Sequence, residues 1–202
     1  MLRKIYDDDK CIKKELTKEI RYFMENGNIN FLIGAGASTP FLRTLGDLEG
    51  IFTYINKNIN SESKKNKLLC IISNHYFKNS MYDMLNFKEK KHGKEILELY
   101  KNFYKYLNKI VFKRKSTILN KQVNIFTTNY DLFSEYALED LSIEYNDGFS
   151  NKMIRKLDIS NFDKLIYKKG LFFDNVIEIP TFNIFKLHGS LSWKIGENEE
   201  VF

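Results

Sequence analysis

Three short stretches of this sequence hold residue types that can do chemistry, and each closes a run with strand character. The first is Gly34-Ala35-Gly36-Ala37-Ser38, directly after Ile29 to Ile33. Glycines at such a turn let the main chain approach a pyrophosphate, and a helix starting there offers unpaired N–H groups and a positive dipole end. A tight turn that serves packing alone has the same composition. The spacing is also not GxGxxG, because Ser38 and Thr39 stand where a third glycine belongs. The second stretch is Thr127-Thr128-Asn129-Tyr130-Asp131, at the end of Val123 to Thr127. In open α/β sheets, ligands bind at the C-terminal edge of the strands. The amide of Asn129 has a donor and an acceptor with which to hold a water or a ribose hydroxyl. Equally, Asn129 or Asp131 can cap a helix. The third is Lys186-Leu187-His188-Gly189-Ser190. His188 has the chemistry of a general base or a ribose contact, and Gly189 beside it leaves room for a ligand. A single histidine is also a common structural residue.

The elements that must position these groups follow from periodicity. Ile12, Leu16, Ile20 and Phe23 fall on one face of a helix that Asp9 can cap and Gly27 can end. A second helical pattern starts near Thr44, with Leu45, Leu48, Ile51, Phe52 and Ile55 inward. From about 57 to 122 the chain turns Lys- and Asn-rich and reads as a helical insertion without a catalytic motif. Its clearest helix runs from about Lys94 to Phe112, with Leu97, Tyr100, Phe103, Tyr104, Leu107 and Val111 inward. Leu132 to Leu141 reads as helix and Asn146-Asp147-Gly148 as a turn. Val176 to Leu187 reads as one or two strands interrupted at Pro180. Strands alternating with helices predict an α/β fold, a Rossmann-like, mostly parallel sheet with one helical insertion.

Composition narrows the function. The 202 residues suffice for one domain, and 43% hydrophobic with 29% charged residues fits a folded protein rather than a disordered one. No apolar run reaches the length of a membrane span, and the cytoplasm is the expected address. Cys11 and Cys70 build neither a disulfide framework nor a CxxC pair, and with three histidines a four-ligand zinc site is not expected. The net charge of +6 suits a phosphate-rich ligand. The lysines are interleaved with acids, as in Lys88-Glu89-Lys90-Lys91, so a solvated surface explains them better than nucleic-acid binding.

In their order along the chain, GAGAS, TTNYD and LHGS resemble the signatures of the sirtuin (SIR2) superfamily. The resemblance is closest to the bacterial SIR2-like branch of antiphage defence proteins, through TTNYD, Asp147-Gly148-Phe149 and the KLHGSLSW ending. It covers about residues 29–55 and 123–193.

The resemblance implies a domain that binds NAD across a Rossmann-like sheet and breaks its nicotinamide–ribose bond. Gly34, Ala35, Gly36, Ala37 and Ser38 would contact the phosphates and adjoining ribose, with Thr128 and Gly189 also at the ligand. Asn129 would place ribose hydroxyls or the attacking water, Asp131 would bond the nicotinamide carboxamide, and His188 would contact the ribose and serve as general base or hydroxyl-polarising residue. For the Phe-Arg segment of sirtuins the nearest counterpart is Phe41-Leu42-Arg43. Deacylating sirtuins carry a zinc module with two CxxC pairs, which this sequence lacks, so an NAD glycohydrolase is expected ahead of an NAD-dependent lysine deacylase. A non-catalytic module that senses NAD or ADP-ribose, or an inactive fragment, is the third reading. SIR2 domains continue past the His segment with further strands. The expected fold is therefore incomplete at the C-terminus, with a homo-oligomer or a partner chain supplying the rest.

Overall fold

The computed structural model describes residues 9–42, 48–114, 118–150, 153, 155–170, 175–196 and 200–201. Four parallel strands carry it: β1 (Ile29–Ile33), β2 (Gln122–Thr127), β3 (Tyr145–Asn146) and, last in the chain, a strand at Thr181–Lys186, in the spatial order first, second, last, third. Two antiparallel ribbons lie between β3 and that last strand: β4 (Phe149–Ser150) with β5 (Lys156–Leu157), and β6 (Tyr167–Lys169) with β7 (Val176–Glu178). The last strand is therefore β8. Pro180, which has no N–H to give a ladder, separates β7 from β8 as expected.

Five helices complete the described architecture: α1 (Asp9–Asn26), α2 (Leu48–Asn58), α3 (Glu62–Tyr76), α4 (Lys91–Phe112) and α5 (Phe133–Asp140). A π-type turn at Phe77–Met81 and a 3-10 turn at Tyr82–Asn86 join α3 to α4. The mixed α/β fold with a parallel sheet agrees with the Rossmann-like expectation.

One face of the sheet makes the core. Side chains alternate across a strand, so Ile29, Val123, Ile125, Phe182 and Ile184 point the same way, and α4 and α5 cover them. Residues three and four apart on α4 bury Ile96, Leu97, Tyr100, Tyr104, Leu107 and Val111. Phe103, expected inward, is half-buried and meets Phe31 edge-on at 5.2 Å. On the opposite face Asn30, Asn124 and Asn183 share a row, and their amides bond in series at 2.9 Å each. In a neighbouring row Phe126 stacks on Phe185, which also stacks on Phe162.

Two helices differ from their expected packing. On α1, Leu16, Ile20 and Phe23 are 46%, 50% and 67% exposed. The end of the helix is tied down: Met24 packs on the core, and Arg114 donates to the carbonyls of Met24 and Gly27. On α2, Ile55 is buried but Ile51 is exposed, and the expected start at Thr44 and Leu45 lies outside the described residues. The Asn146-Asp147-Gly148 turn is present. Gly148 has φ +84°, and a Cβ there would stand 2.8 Å from the Phe162 ring.

No helix among the described residues is long and apolar enough to cross a membrane.

Candidate functional site

Parallel pairing brings the three motifs to one edge. Ile33, Thr127 and Lys186, the last residues of β1, β2 and β8, are in register. Each motif therefore leaves the sheet at the same level, at the C-terminal edge where α/β proteins bind ligands. Main-chain bonds continue the row past the strands. The Thr128 N–H donates to Ile33 O at 3.3 Å, the Leu187 N–H to Thr127 O at 2.8 Å, and the Leu191 N–H to Tyr130 O at 3.0 Å. The Phe149 ring of the DGF segment meets Trp193 edge-on at 5.8 Å.

Ser38, far from both in sequence, meets Asn129 and Asp131 inside this edge. Ser38 Oγ donates to Asp131 Oδ2 at 2.6 Å, and Asn129 Nδ2 donates to Ser38 Oγ at 3.3 Å. Asp131 Oδ1 accepts the Phe133 N–H at 3.2 Å, so Asp131 satisfies the first N–H of α5 while it holds Ser38, although the N-cap position itself is Leu132. A fourth member comes from α4, in the block where the sequence showed no functional signal. The Tyr100 hydroxyl lies 3.1 Å from Ser38 Oγ and 3.4 Å from Asn129 Nδ2. Burial, and then the Asp131 carboxylate, push the Tyr100 phenol above its ordinary value, so it keeps its proton. Nothing in its helical spacing separates Tyr100 from the core aromatics around it.

Asn129 is 6% exposed, and its Oδ1 is buried without a hydrogen-bond partner. Buried polar atoms are nearly always paired, so an orphan acceptor at a ligand-binding edge needs a functional reason.

The GAGAS loop leaves β1 as a single 3-10 turn, Ala35–Ser38, that ends in an extended Thr39 rather than as the start of a long helix. The helix-dipole contribution expected at this loop therefore reduces to the N–H groups of one turn. Gly34 to Ala37 are exposed and Ser38 alone turns inward. Neither Gly34 nor Gly36 has a positive φ, and a Cβ on either would meet nothing within 4 Å. Neither conformation nor internal packing thus requires glycine at these two positions. Gly189 is different: its φ of +82° is the left-handed region that favours glycine, so it shapes the turn after His188. His188 is exposed on that turn. Arg43 lies outside the described residues.

Beneath the edge, Lys186 ties the second and third motifs together. Its Nζ pairs with Glu135 Oε1 at 3.0 Å and donates to the main-chain carbonyls of Asn129, at 3.4 Å, and Asp131. Tyr130 is held from another side by the Tyr76 hydroxyl of α3 at 2.9 Å. Burial raises the pKa of Glu135, with Lys186 opposing it. A carboxyl with a raised folded pKa binds protons more readily than its unfolded form, so its stabilising contribution is lost as pH rises from the ordinary Glu range through the raised value. Melting curves of the wild type and Glu135→Gln should therefore diverge across that window, with the wild type losing stability relative to the variant as pH rises. Parallel curves would remove Glu135 from the account.

Among the described residues, no group of three or more His, Cys, Asp or Glu side chains could hold a metal ion, and Cys70 is an exposed free thiol.

No curated protein matches the chain at a significant level. A family model does match: the SIR2-like domain, over residues 123–201. SIR2-like domains in general use NAD as substrate. The matched span contains β2, Asn129, Asp131, Lys186 and His188, while the GAGAS loop lies before it and is joined to it through β1–β2 pairing and the Ser38–Asp131 bond. That match, over the part of the chain that supplies two of the three motifs, supports the SIR2-like superfamily for this protein.

Proposed function

We propose that this protein is an NAD glycohydrolase that cleaves the nicotinamide–ribose bond, and that it belongs with the bacterial SIR2-like proteins of antiphage defence. The observation that carries the proposal is Asn129 Oδ1, a buried acceptor left without a partner at the C-terminal edge of the sheet. An acceptor so placed takes an O–H donor, and NAD hydrolysis supplies two kinds: a ribose hydroxyl and the attacking water. The exposed, unobstructed faces of Gly34 and Gly36 suit the pyrophosphate.

The chemistry asks for little more. As the C1′–N bond breaks, its electron pair goes to the ring nitrogen and nicotinamide leaves neutral, so no acid is needed. Positive charge builds on the ribose, which positioned acceptors stabilise. Water then bonds to C1′ and passes its proton to a base, giving ADP-ribose. In this reading Asn129 positions a hydroxyl or the water, and His188, exposed on the same edge, is the base. Asp131 anchors Ser38. Its contact with the nicotinamide carboxamide, which the resemblance implies, would use the remaining acceptor capacity of its carboxylate, since Ser38 and the Phe133 N–H take one bond at each oxygen. The absence of CxxC pairs keeps the hydrolase ahead of a lysine deacylase.

The test is nicotinamide release from NAD by the full chain beside Gly36→Val. The wild type should release nicotinamide and ADP-ribose in equal amounts. The variant should melt like the wild type, because its side chain enters open space, yet neither bind nor cleave NAD. A folded wild type that binds NAD and releases no nicotinamide overturns the hydrolase reading and leaves a sensing module. NAD-dependent release of acyl groups from a lysine peptide would identify a deacylase instead.

A further inference from the structure

The hydrogens around Asn129 have one consistent arrangement. Ser38 has a single hydroxyl proton, and it goes to Asp131 Oδ2 at 2.6 Å. Toward its other neighbours Ser38 Oγ is therefore an acceptor. It takes the Tyr100 proton at 3.1 Å, and the Asn129 amide nitrogen donates toward both oxygens, to Ser38 Oγ at 3.3 Å and to the Tyr100 hydroxyl oxygen at 3.4 Å. An inverted amide would set its carbonyl against the Ser38 oxygen lone pairs and lose both donor bonds. The nitrogen thus faces Ser38 and Tyr100, and Oδ1 is the side of the amide left without a partner.

Tyr100 stands outside all three motifs and outside the matched SIR2-like span, on a helix of the inserted block. Its ring stacks on Phe133 at 5.7 Å, and Phe133 follows Asp131 by two residues. Ring packing and the hydroxyl are separable, which makes the hydroxyl's role testable.

We propose that Tyr100 is a positioning residue of this site: with Ser38, its hydroxyl locks the Asn129 amide nitrogen-inward, so that Oδ1 meets a hydroxyl donor, the ribose of NAD or the attacking water. The reaction it serves rests on the NAD-hydrolase reading, but the lock is a property of the ligand-free protein. Two readouts on the full chain separate the two. In 15N-labelled protein the Asn129 side-chain amide signals are assigned by their loss in Asn129→Ala. Tyr100→Phe should shift one of the two protons and speed its exchange with solvent. Nicotinamide release by the same variant should lose about tenfold or more in kcat with KM for NAD within about twofold, the pattern of lost orientation rather than lost binding.

Asn129 signals that stay unchanged in Tyr100→Phe overturn the proposal, as does a variant that turns over NAD as fast as the wild type. If the wild type releases no nicotinamide, the hydrolase reading fails while the amide signals still decide the lock. Should Tyr100→Phe not fold, Ser38→Ala removes the amide's other acceptor, and it must then move the same signals for the lock to stand.

Discussion

Asn129→Ala should reduce nicotinamide release by about a hundredfold or more while leaving the melting temperature unchanged or slightly raised. The two halves of this result come from one feature. Oδ1 of Asn129 is buried with no partner, so in the free protein it contributes only a desolvation penalty. Alanine removes that orphan. What the fold loses is two long amide bonds, to Ser38 at 3.3 Å and Tyr100 at 3.4 Å, both of which keep their bond to each other. The backbone N–H of residue 129 still donates to Thr127 Oγ1 at 3.0 Å, so the course of the loop survives. A residue kept for stability would behave the other way, with loss of melting temperature alongside activity. A stable variant that still cleaves NAD would remove Asn129 from the reaction, and with it the observation on which the proposed function stands. Denaturant melts and nicotinamide release on one preparation decide the matter.

Phe133→Ala should destabilise the fold by about 3–5 kcal/mol, the range for removing a fully buried aromatic side chain. Phe133 has no exposed surface, and its ring touches aromatic partners from three other parts of the chain. Phe41, just past the GAGAS loop, meets it edge-on at 5.6 Å; Phe87, before α4, edge-on at 5.2 Å; and Tyr100 of α4 stacks on it at 5.7 Å. A cavity there would loosen three segments at once, two of them carrying site residues. The packing is rigid enough that partial collapse cannot refill the space of a phenyl ring. Urea melts should show a lower midpoint with little change in slope. A loss under about 1 kcal/mol would mean that the aromatic cluster is not the joint between the inserted helices and the site. Phe133→Leu, which keeps most of the volume, should recover a good part of the stability.

Much of the organisation was legible in the residues because local patterns are strong there. The apolar run Ile29 to Ile33 and the alternation in Gln122–Thr127 specify strands, although the first, expected to be buried throughout, buries only Ile29 and leaves Leu32 75% exposed; the spacing of Leu97, Tyr100, Tyr104, Leu107 and Val111 specifies α4. Pro180 and Gly148 mark breaks that the backbone does make. The three motifs and their order are likewise properties of the chain alone, and they carried the SIR2 resemblance that the family model then supported over residues 123–201.

Other features depend on contacts between residues distant in sequence, which no local pattern encodes. That GAGAS opens with one 3-10 turn depends on where Ser38 must reach to meet Asp131, a residue on another strand end. Leu16, Ile20 and Phe23 of α1 stay exposed, while its last turn is held by Met24 and the reach of Arg114. Tyr100 looked like one more core aromatic, because periodicity tells which face of a helix is buried but not what a buried hydroxyl meets. Asn129 was legible as a group with a donor and an acceptor. Only the packing of Ser38, Asp131 and Tyr100 around it decided that the amide nitrogen faces inward and the acceptor is left without a partner. Residue types and spacing determined which chemistry is possible here; the tertiary structure determined which atom is left to do it, because a hydrogen bond can be assigned only when both partners are in place.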